Sequence, residues 1–476
     1  MEQIAGFPRN LSFNLKRLQG SLIKQRIKVA SDLTTYNSGQ IINFYLPIGR
    51  MIDERSLVIY ATGDCSATTN SGVHFPRLGL HSLIEQFQVS INSKPVQTTN
   101  LYNFIYNSIA DLEGYSSLEQ NSKRITENPD PSSYFNSVYS TTIGSGTNND
   151  GNGITNTLNI TRQGNDTNFY MCANNFLGFF NGSCAVLDTN NYGALKISLT
   201  LAPSGCLWLG VPTNAPTGTC DYTLKNVYLT IDTITFTNSL YYDMIKEKLE
   251  TDGLNIAFYD YIPFQLNSQT RHNGNINVST MINTSSLDQV IGTFRPANYT
   301  TQNKLVLSAQ DNTAVSFYSV VCNPTGTNTK IGGAFNNSRY FLRDGAGILN
   351  SSWYVNSQPF SQLATPIEIF NNTIQATNYG NLDIASGGLH AGCMSLGHYC
   401  RHYFADILSL ENISGDNNWW VSGINGSGGT ITIQWNVNFG TTSGDGDLST
   451  SIIPVIIARV SKILNCKMGR ALDLLE

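Results

Sequence analysis

Short apolar runs alternate with polar tracts along most of the chain. At Val227, Leu229, Ile231, Ile234 and Phe236 the apolar positions keep a period of two with one slipped residue, which predicts a β-strand with a bulge. Comparable runs predict further strands at 41–48, 56–62, 84–91, 194–201, 256–265, 304–309, 315–321, 398–410, 430–439 and 452–460. The tracts between them are rich in the turn residues Gly, Asn, Ser and Thr, and the longest, 141–168, is expected to be an exposed loop. The pattern predicts an all-β protein.

Three segments have helical spacing instead, at 101–115, 239–251 and 366–379. In the middle segment Leu240, Met244, Ile245 and Leu249 fall on one face of a helix, and Gly253 follows as a C-cap. This segment lies near the middle of a chain of 476 residues. We therefore predict that it links two β units.

An internal repeat supports two units of one kind. Residues 91–96, Ile-Asn-Ser-Lys-Pro-Val, are echoed 264 positions later by 355–360, Val-Asn-Ser-Gln-Pro-Phe. The same offset matches 105–107, Ile-Tyr-Asn, with 369–371, Ile-Phe-Asn. Each half is predicted to run from a strand through an Asn-Ser-x-Pro turn into a helical stretch. The repeat indicates a tandem duplication of one β-sandwich.

The chain is 41% hydrophobic and 13% charged, so it can build two β cores of about 200 residues each. Its net charge of -5 argues against a protein whose whole surface binds nucleic acid. The basic residues gather at the ends: Arg9, Lys16, Arg17, Lys24, Arg26 and Lys28 near the start, and Arg459, Lys462, Lys467 and Arg470 near the end. Two interpretations stay open, a solvated charged tail or contact with an anionic layer such as phospholipid headgroups or nucleic acid.

Targeting signals are not recognisable in the sequence. The longest apolar runs fall short of the roughly 18 residues of a spanning helix, and the N-terminus does not have the order of a signal peptide. The 9 cysteines are scattered and odd in number, which favours buried thiols over a disulfide framework. We expect the protein to stay inside the cell that makes it.

Metal and catalytic chemistry have little support. If 398–410 is a strand, His398, Cys400 and His402 point to one face and could bind Zn²⁺, although a packed sheet face would look the same. We prefer the interpretation without a metal. The sequence contains no phosphate-binding loop and no nucleophile elbow after a strand, so we assign no catalytic residue and no cofactor, and we do not expect an enzyme.

The pair Trp419 and Trp420 raises a separate possibility. Adjacent residues on a strand face opposite sides, so one of the two indoles needs cover from outside the core. A loop, a contact between subunits or a bound carbohydrate would each supply that cover. The alternative function is therefore a glycan-binding β-sandwich lectin or a viral spike that binds a receptor.

Two stretches carry a resemblance to a known family. They are 81–96, His-Ser-Leu-Ile-Glu-Gln-Phe-Gln-Val-Ser-Ile-Asn-Ser-Lys-Pro-Val, running into 102–106, and 229–236 with the following helix and 256–264. The chain resembles the double jelly-roll major capsid proteins of icosahedral double-stranded DNA viruses. That lineage includes adenovirus hexon and the major capsid proteins of tailless membrane phages, virophages, polinton-like viruses and large nucleocytoplasmic DNA viruses.

The resemblance implies two tandem eight-stranded jelly rolls with a few short helices, and a homotrimer that forms a pseudo-hexagonal capsomer of a virion shell. Residues 141–168 would be an outward tower, and the basic ends would lie at the capsomer base. Implied partners are further trimers, penton and minor or cement capsid proteins, with an internal membrane as one candidate and no sequence-specific nucleic acid binding.

We therefore divide the chain into five parts. Residues 1–25 are a basic N-terminal arm, 26–238 the first jelly roll, 239–254 a linking helix, 255–465 the second jelly roll and 466–476 a C-terminal tail.

Overall fold

The computed structural model shows a mostly β structure with short helices. The structure describes residues 22–67, 72–76, 78–113, 167–182, 186–210, 220–236, 240–251, 253–271, 274–297, 299–300, 303–305, 339–377, 396, 399–400, 404–411, 423–426, 429–440, 451–467 and 471–475. Residues 141–166 of the predicted loop 141–168 lie outside these ranges, as do the predicted strand 315–321 and both residues of the Trp419–Trp420 pair. The last two residues of the predicted loop, Thr167 and Asn168, belong to a strand instead.

The strands of the first half are β1 (Leu22–Ala30), β2 (Thr35–Asn37), β3 (Ile41–Tyr45), β4 (Met51–Ala67), β5 (Gly72–His74), β6 (Ile84–Ile91), β7 (Lys94–Asn100), β8 (Thr167–Cys172), β9 (Val186–Asp188), β10 (Leu195–Leu201), β11 (Trp208–Gly210) and β12 (Cys220–Phe236). Those of the second half are β13 (Leu254–Gln265), β14 (Gln269–Thr270), β15 (Asn275–Ile282), β16 (Leu287–Pro296), β17 (Asn303–Leu305), β18 (Ile348–Val355), β19 (Gln358–Ala364), β20 (Asp406–Ser409), β21 (Ile431–Phe439), β22 (Ser451–Lys467) and β23 (Ala471–Leu475). The helices are α1 (Tyr102–Glu113), α2 (Thr189–Tyr192), α3 (Leu240–Thr251) and α4 (Pro366–Thr377).

Each half folds into two antiparallel sheets that share one core. In the first half the strand orders are β1-β12-β4-β8 and β3-β10-β6-β7, and in the second they are β13-β22-β16-β20 and β15-β21-β18-β19. When the eight principal strands of each half are counted along the chain, both halves pair first-eighth-third-sixth and second-seventh-fourth-fifth. This is the strand order of a jelly roll. The predicted all-β class with two tandem eight-stranded jelly rolls is confirmed.

The alternation of apolar residues builds the core of the second roll. Along β21 every second residue is buried, and Trp435 at its centre stacks on Trp353 of β18 with ring centroids 5.3 Å apart. Phe294 of the opposite sheet stacks on the other side of Trp435 at 4.8 Å. Gly292 lies beneath these rings, where a Cβ atom would come within 2.8 Å of Trp435. The glycine therefore gives the indoles the space to lie flat against the sheet.

The internal repeat continues into the secondary structure. β6, β7 and α1 recur as β18, β19 and α4, and all their bounds differ by 264 positions. The intervening turns have the same backbone, because Asn92 and Ser93 have φ of 50° and 66°, and Asn356 and Ser357 have 50° and 65°. Positive φ at both central residues defines a type I′ hairpin turn, and asparagine tolerates this conformation well.

The turn asparagines also make the same contacts in both rolls. The Asn92 side chain accepts a hydrogen bond of 2.9 Å from the N–H of Ala194, which precedes β10. The Asn356 side chain accepts one of 2.9 Å from the N–H of Thr432, at the start of β21. Each asparagine thus ties its hairpin to the next strand of the sheet, which explains why the Asn-Ser pair occurs in both halves.

The linking helix lies where the sequence predicts. α3 ends before Gly253, which has φ of 78° and donates its N–H to the Lys248 carbonyl at 2.9 Å. Leu249 is 8% exposed, and Met244 packs partly buried against the core. The side chains of Leu240 and Ile245 lie outside the described set. The predicted bulge in β12 is present, because the pairing with β4 shifts between Thr230 and Asp232.

The predicted strand 398–410 is wrong over its first part. Tyr399 and Cys400 lie in a helical turn, and the strand is limited to β20. The Tyr399 hydroxyl donates a hydrogen bond of 2.9 Å to Thr373 of α4, so Tyr399 packs against this helix. The zinc hypothesis required Cys400 to lie on a strand and to share one face with His398 and His402. Cys400 does not lie on a strand. His398 and His402 lie outside the described residues.

Two features cross the boundaries of the sequence-based division. Residues 22–25, assigned to the arm, belong to β1, which pairs with β12 over its whole length. β23, within the predicted tail, pairs with β22. In addition, β17 of the second half pairs in parallel with β11 of the first half. The two rolls are therefore joined by backbone hydrogen bonds as well as by side chains.

Candidate functional site: the contact between the rolls and the basic edge strand

A buried carboxylate ties the two rolls together. Asp260 of β13 is 1% exposed, and its Oδ2 lies 3.0 Å from the Lys462 Nζ of the same roll. Its Oδ1 accepts a hydrogen bond of 3.1 Å from the hydroxyl of Thr99, on β7 of the first roll. Removing the charges of Asp260 and Lys462 from water is costly, so the buried carboxylate needs hydrogen-bond donors in the protein. Asp260 can be buried here because both rolls supply them.

A second tie is an arginine surrounded by aromatic rings. Arg295 of β16 is fully buried, and its guanidinium lies 3.7 Å from the ring centroid of Tyr299 and 4.5 Å from that of Phe104. Phe104 belongs to α1 of the first roll, so this cation–π contact crosses between the rolls. Arg295 Nη2 donates to the Tyr340 carbonyl at 3.1 Å, which fixes the orientation of the guanidinium plane.

Tyr340 extends this cluster to the first roll. Its hydroxyl donates a hydrogen bond to Glu85 of β6. Burial, followed by the nearby negative charge of Glu85, raises the pKa of the Tyr340 phenol well above its ordinary value. The phenol therefore remains a proton donor at physiological pH, and the contact with Glu85 is kept.

Close backbone approach completes the contact. A Cβ atom on Gly205 of the first roll would lie 2.5 Å from the Thr300 carbonyl oxygen of the second. Phe179 and Phe258, one from each roll, pack edge to face with centroids 5.5 Å apart. The two rolls thus share a core-like boundary with apolar, ionic and backbone components.

The basic residues of β1 lie on an edge strand and face carboxylates. Lys24 Nζ lies 2.8 Å from Asp53 and 3.1 Å from Asp232, and Arg26 Nε lies 2.8 Å from Asp232. The bond to Asp53 raises the pKa of Lys24. Lys28 lies over the ring of Tyr228, 3.6 Å from its centroid. Arg9, Lys16 and Arg17 lie outside the described residues, so the structure places only half of the predicted basic arm.

Two of the basic residues near the C-terminus, Arg459 and Lys462, do not belong to a solvated tail. Arg459 pairs with Glu411 and lies 4.8 Å from the ring centroid of Tyr259, and Lys462 pairs with Asp260. Neither of the two open interpretations, a solvated tail or contact with an anionic layer, fits these two residues, because both are paired with carboxylates on the largely buried strand β22. The side chains of Lys467 and Arg470 are not among those described.

No protein-family model matches the sequence, and no curated protein matches it either. Solved structures do match. A chain of the PBCV-1 virus capsid superimposes with a TM-score of 0.55 at 13% identity, covering 96% of this chain and 97% of that one. The Faustovirus major capsid protein gives a TM-score of 0.54 at 10% identity, with coverage of 94% and 91%. A chain of the Sputnik virophage gives 0.56 at 11% identity, with coverage of 95% and 88%.

The chain has the fold of these capsid proteins. At such low identity the likeness lies in the double jelly roll itself. Among the described residues we find no set of three His, Cys, Asp or Glu side chains placed to hold a metal ion. Nor does this part of the double jelly roll contain a helix with the length and apolar character needed to cross a bilayer.

Sequence reasoning missed the residues that join the rolls. Arg295 is one of two charged residues, with Asp288, in a strand whose residues are all buried, and Asp260 lies between Tyr259 and Tyr261 in another apolar run. A charged residue inside a buried strand requires a partner, and this signal could have marked both Arg295 and Asp260. The identity of the partners could not be read from the sequence, because Thr99 lies 161 residues from Asp260.

Proposed function

We propose that this protein is a major capsid protein, which trimerises into pseudo-hexagonal capsomers that tile the icosahedral shell of a double-stranded DNA virus. One observation carries the proposal: two jelly rolls of the same strand order are joined side by side, in a fold shared with the PBCV-1 and Faustovirus capsid chains over at least 94% of this chain. Three chains of two rolls supply six similar units, and a contact that repeats by rotation closes into a ring.

Further features of the proposal concern location and partners. The protein would act in the virion shell, where its partners are other trimers, penton proteins and minor or cement capsid proteins. The basic N-terminal segment, with Arg9, Lys16 and Arg17, would contact an anionic inner layer such as an internal membrane. The function is structural in this proposal, so neither a catalytic residue nor a cofactor takes part.

The test is the solution mass of the purified full chain, measured by light scattering after size exclusion. One chain has a mass of 52.2 kDa, so a trimer has a mass of about 157 kDa. Pseudo-hexagonal particles in negative-stain images of that peak would support the proposal. A monomer at every concentration tested, without assembly in cells that make the other capsid components, would overturn it.

The lectin or spike alternative predicts a different result. It requires a monomer or isolated sandwiches that bind glycans through an aromatic platform. Trp419 and Trp420, on which it depends, lie outside the described residues, and no described residue favours it.

A further inference from the structure

The strand β15 forms one edge of its sheet and pairs with β21 alone. Its register continues over all 8 residues, from Asn275 opposite Asn438 to Ile282 opposite Ile431, without a bulge. Among the described residues, only those of β21 bond to the backbone of β15. A regular edge of this kind is about 27 Å long and leaves a row of unpaired N–H and C=O groups.

The alternation of the ladder shows which residues of β15 face the open edge. The N–H of Phe439 donates to the Gly274 carbonyl at 3.1 Å, so these opposite residues are hydrogen-bonded, as is every second pair after them. The backbone groups that point away from β21 therefore belong to the other residues of the strand, which are Asn275, Asn277, Ser279 and Met281. The side chains of these four residues are exposed. Another strand can therefore reach their N–H and C=O groups from solvent.

Other edge strands of the two rolls have features that prevent pairing with another chain. β1 carries three basic residues, and β7 and β19 each have a proline and a shift of register. On β3, which takes the place of β15 in the first roll, the N–H of Asn43 donates to the Asp32 carboxylate at 3.2 Å. Charges, prolines and bulges each hinder the extension of a sheet at its edge.

β15 has none of these protective features. Residues 274–287 contain no charged side chain and no proline. The exposed side chains of β15 are two asparagines, a serine and a methionine, which can lie beside a neighbouring strand without charge repulsion. A regular edge without protection is a template for a further strand, and this indicates that the edge of β15 binds one.

The strand that fits this edge is β15 of a second copy. Like charges oppose the pairing of β1 with itself, whereas β15 is uncharged. In an antiparallel pair centred on Ser279, the backbone groups of Ser279 meet those of its copy, and Asn277 lies opposite Met281. On the core side Ile276 lies opposite Ile282. Every pair joins residues of the same face, so the apolar residues of both copies stay on the core side.

We propose that β15 pairs antiparallel with β15 of a second copy of this chain, about a two-fold axis at Ser279. The pairs of Ser279 with Ser279 and of Asn277 with Met281 supply about six backbone hydrogen bonds. They join the 4-stranded sheets of both copies into one continuous sheet. The contact is isologous, so it closes at two copies. Under the proposed function it would join two capsomers, but the pairing itself needs only two chains.

Light scattering of the full chain, over a concentration series up to about 1 mM, tests this contact. We expect the mass of the wild type to at least double relative to its mass in dilute solution. Ser279→Lys places two positive charges opposite each other, so this variant should keep the dilute mass throughout. Leu349→Lys is the matched control, because Leu349 is 56% exposed on β18, inside the same sheet, and this variant should associate like the wild type. Both positions are exposed, so circular dichroism and melting temperature should not change.

A charge reversal at the same position tests the two-fold axis. Ser279→Glu alone should also keep the dilute mass, because two negative charges then lie opposite each other. An equimolar mixture of Ser279→Lys and Ser279→Glu should associate again, since opposite charges face each other in the mixed pair. If the wild type associates and this mixture does not, β15 does not pair with itself at Ser279 and the proposal is wrong.

Cysteine cross-linking tests the register of the pair. Ser279→Cys places two Cα atoms about 5.5 Å apart, within reach of a disulfide, whereas the two copies of residue 277 lie about 14 Å apart along the strands. After oxidation with diamide, we expect linked pairs of chains from Ser279→Cys above the wild-type background, and none from the control Asn277→Cys. Equal yields from the two variants would contradict the register.

The mass of Ser279→Lys separates this contact from the proposed function. If the wild type associates and Ser279→Lys remains a trimer of about 157 kDa, both proposals are supported. If Ser279→Lys is a monomer of about 52 kDa and the wild type forms only pairs, the β15 contact stands and the capsid proposal fails. A wild type of constant mass overturns the β15 contact and leaves the trimer to its own test. If removal of residues 1–21 abolishes the association and Ser279→Lys does not, the terminal segment is responsible and the assignment to β15 is wrong.

Discussion

Removing the Asp260 carboxylate should strongly destabilise the protein at the contact between its rolls. In Asp260→Ala, Lys462, which is 8% exposed in the wild type, loses the Asp260 carboxylate, and the Thr99 hydroxyl loses this acceptor. Breaking a buried ion pair from one side typically costs about 3–5 kcal/mol, because the remaining charge stays desolvated. We therefore expect a loss of about that size in the free energy of unfolding, without a change in the residues of either core.

Urea denaturation followed by tryptophan fluorescence and circular dichroism measures this loss. The double variant Asp260→Ala/Lys462→Met removes both charges and should recover much of the stability, which gives a coupling energy between the two positions. Asp53→Asn is the matched control, since its partner Lys24 is 46% exposed and exposed pairs contribute about 0.2–1 kcal/mol. A loss below about 1 kcal/mol for Asp260→Ala, or no coupling to Lys462, would refute the assigned role.

Neither carboxyl oxygen of the buried Glu54 has a hydrogen-bond partner among the described residues, and burial raises the pKa of this carboxyl well above its ordinary 4.5. The folded state therefore holds the proton more tightly than the unfolded state, and stability falls as the pH rises above about 4.5 towards the raised pKa. Glu54→Gln should gain stability relative to the wild type between pH 4 and 8, by about 1–3 kcal/mol, and parallel pH profiles would contradict this. Leu249→Asp buries a charge on α3 and should lower the melting temperature, whereas the exposed-site variant Lys246→Asp should not. Replacing Arg9, Lys16 and Arg17 by Gln should weaken flotation with anionic vesicles and spare the oligomeric mass; unchanged flotation would count against an anionic inner layer.

The fold could be predicted because its determinants are local and repeated. Alternation along β21 and β12 identifies strands, and the Asn-Ser turns mark the same hairpin twice, since they need positive φ at adjacent residues. The segment before β20 could not be predicted in this way. Tyr399 is buried between α4 and the residues Phe404 and Ala405 that precede β20, and these tertiary contacts accompany a helical turn despite the strand-like pattern of the segment.

The candidate site was only partly predictable. The basic cluster near the C-terminus suggested an exposed end, but Arg459 and Lys462 are paired inside the protein with residues far away in the sequence. The number of basic residues along a segment does not show which carboxylates the fold places next to them. The different environments of β7 and β19 are also hidden at this level, because the apolar residues Val96 and Phe360 occupy equivalent positions while Val96 is 2% exposed and Phe360 is 48% exposed.

Because the helix α3 connects the two rolls covalently, the contact between them does not depend on the protein concentration, unlike a contact between chains. Its 12 residues span about 18 Å and connect the end of one roll directly to the start of the next. Two modules on so short a connection see each other at an effective concentration on the order of millimolar, whatever the protein concentration in solution. The contact between rolls within a chain therefore forms as the chain folds and survives dilution. Any contact between chains obeys mass action instead, so dilution should separate whole two-roll units and never single rolls.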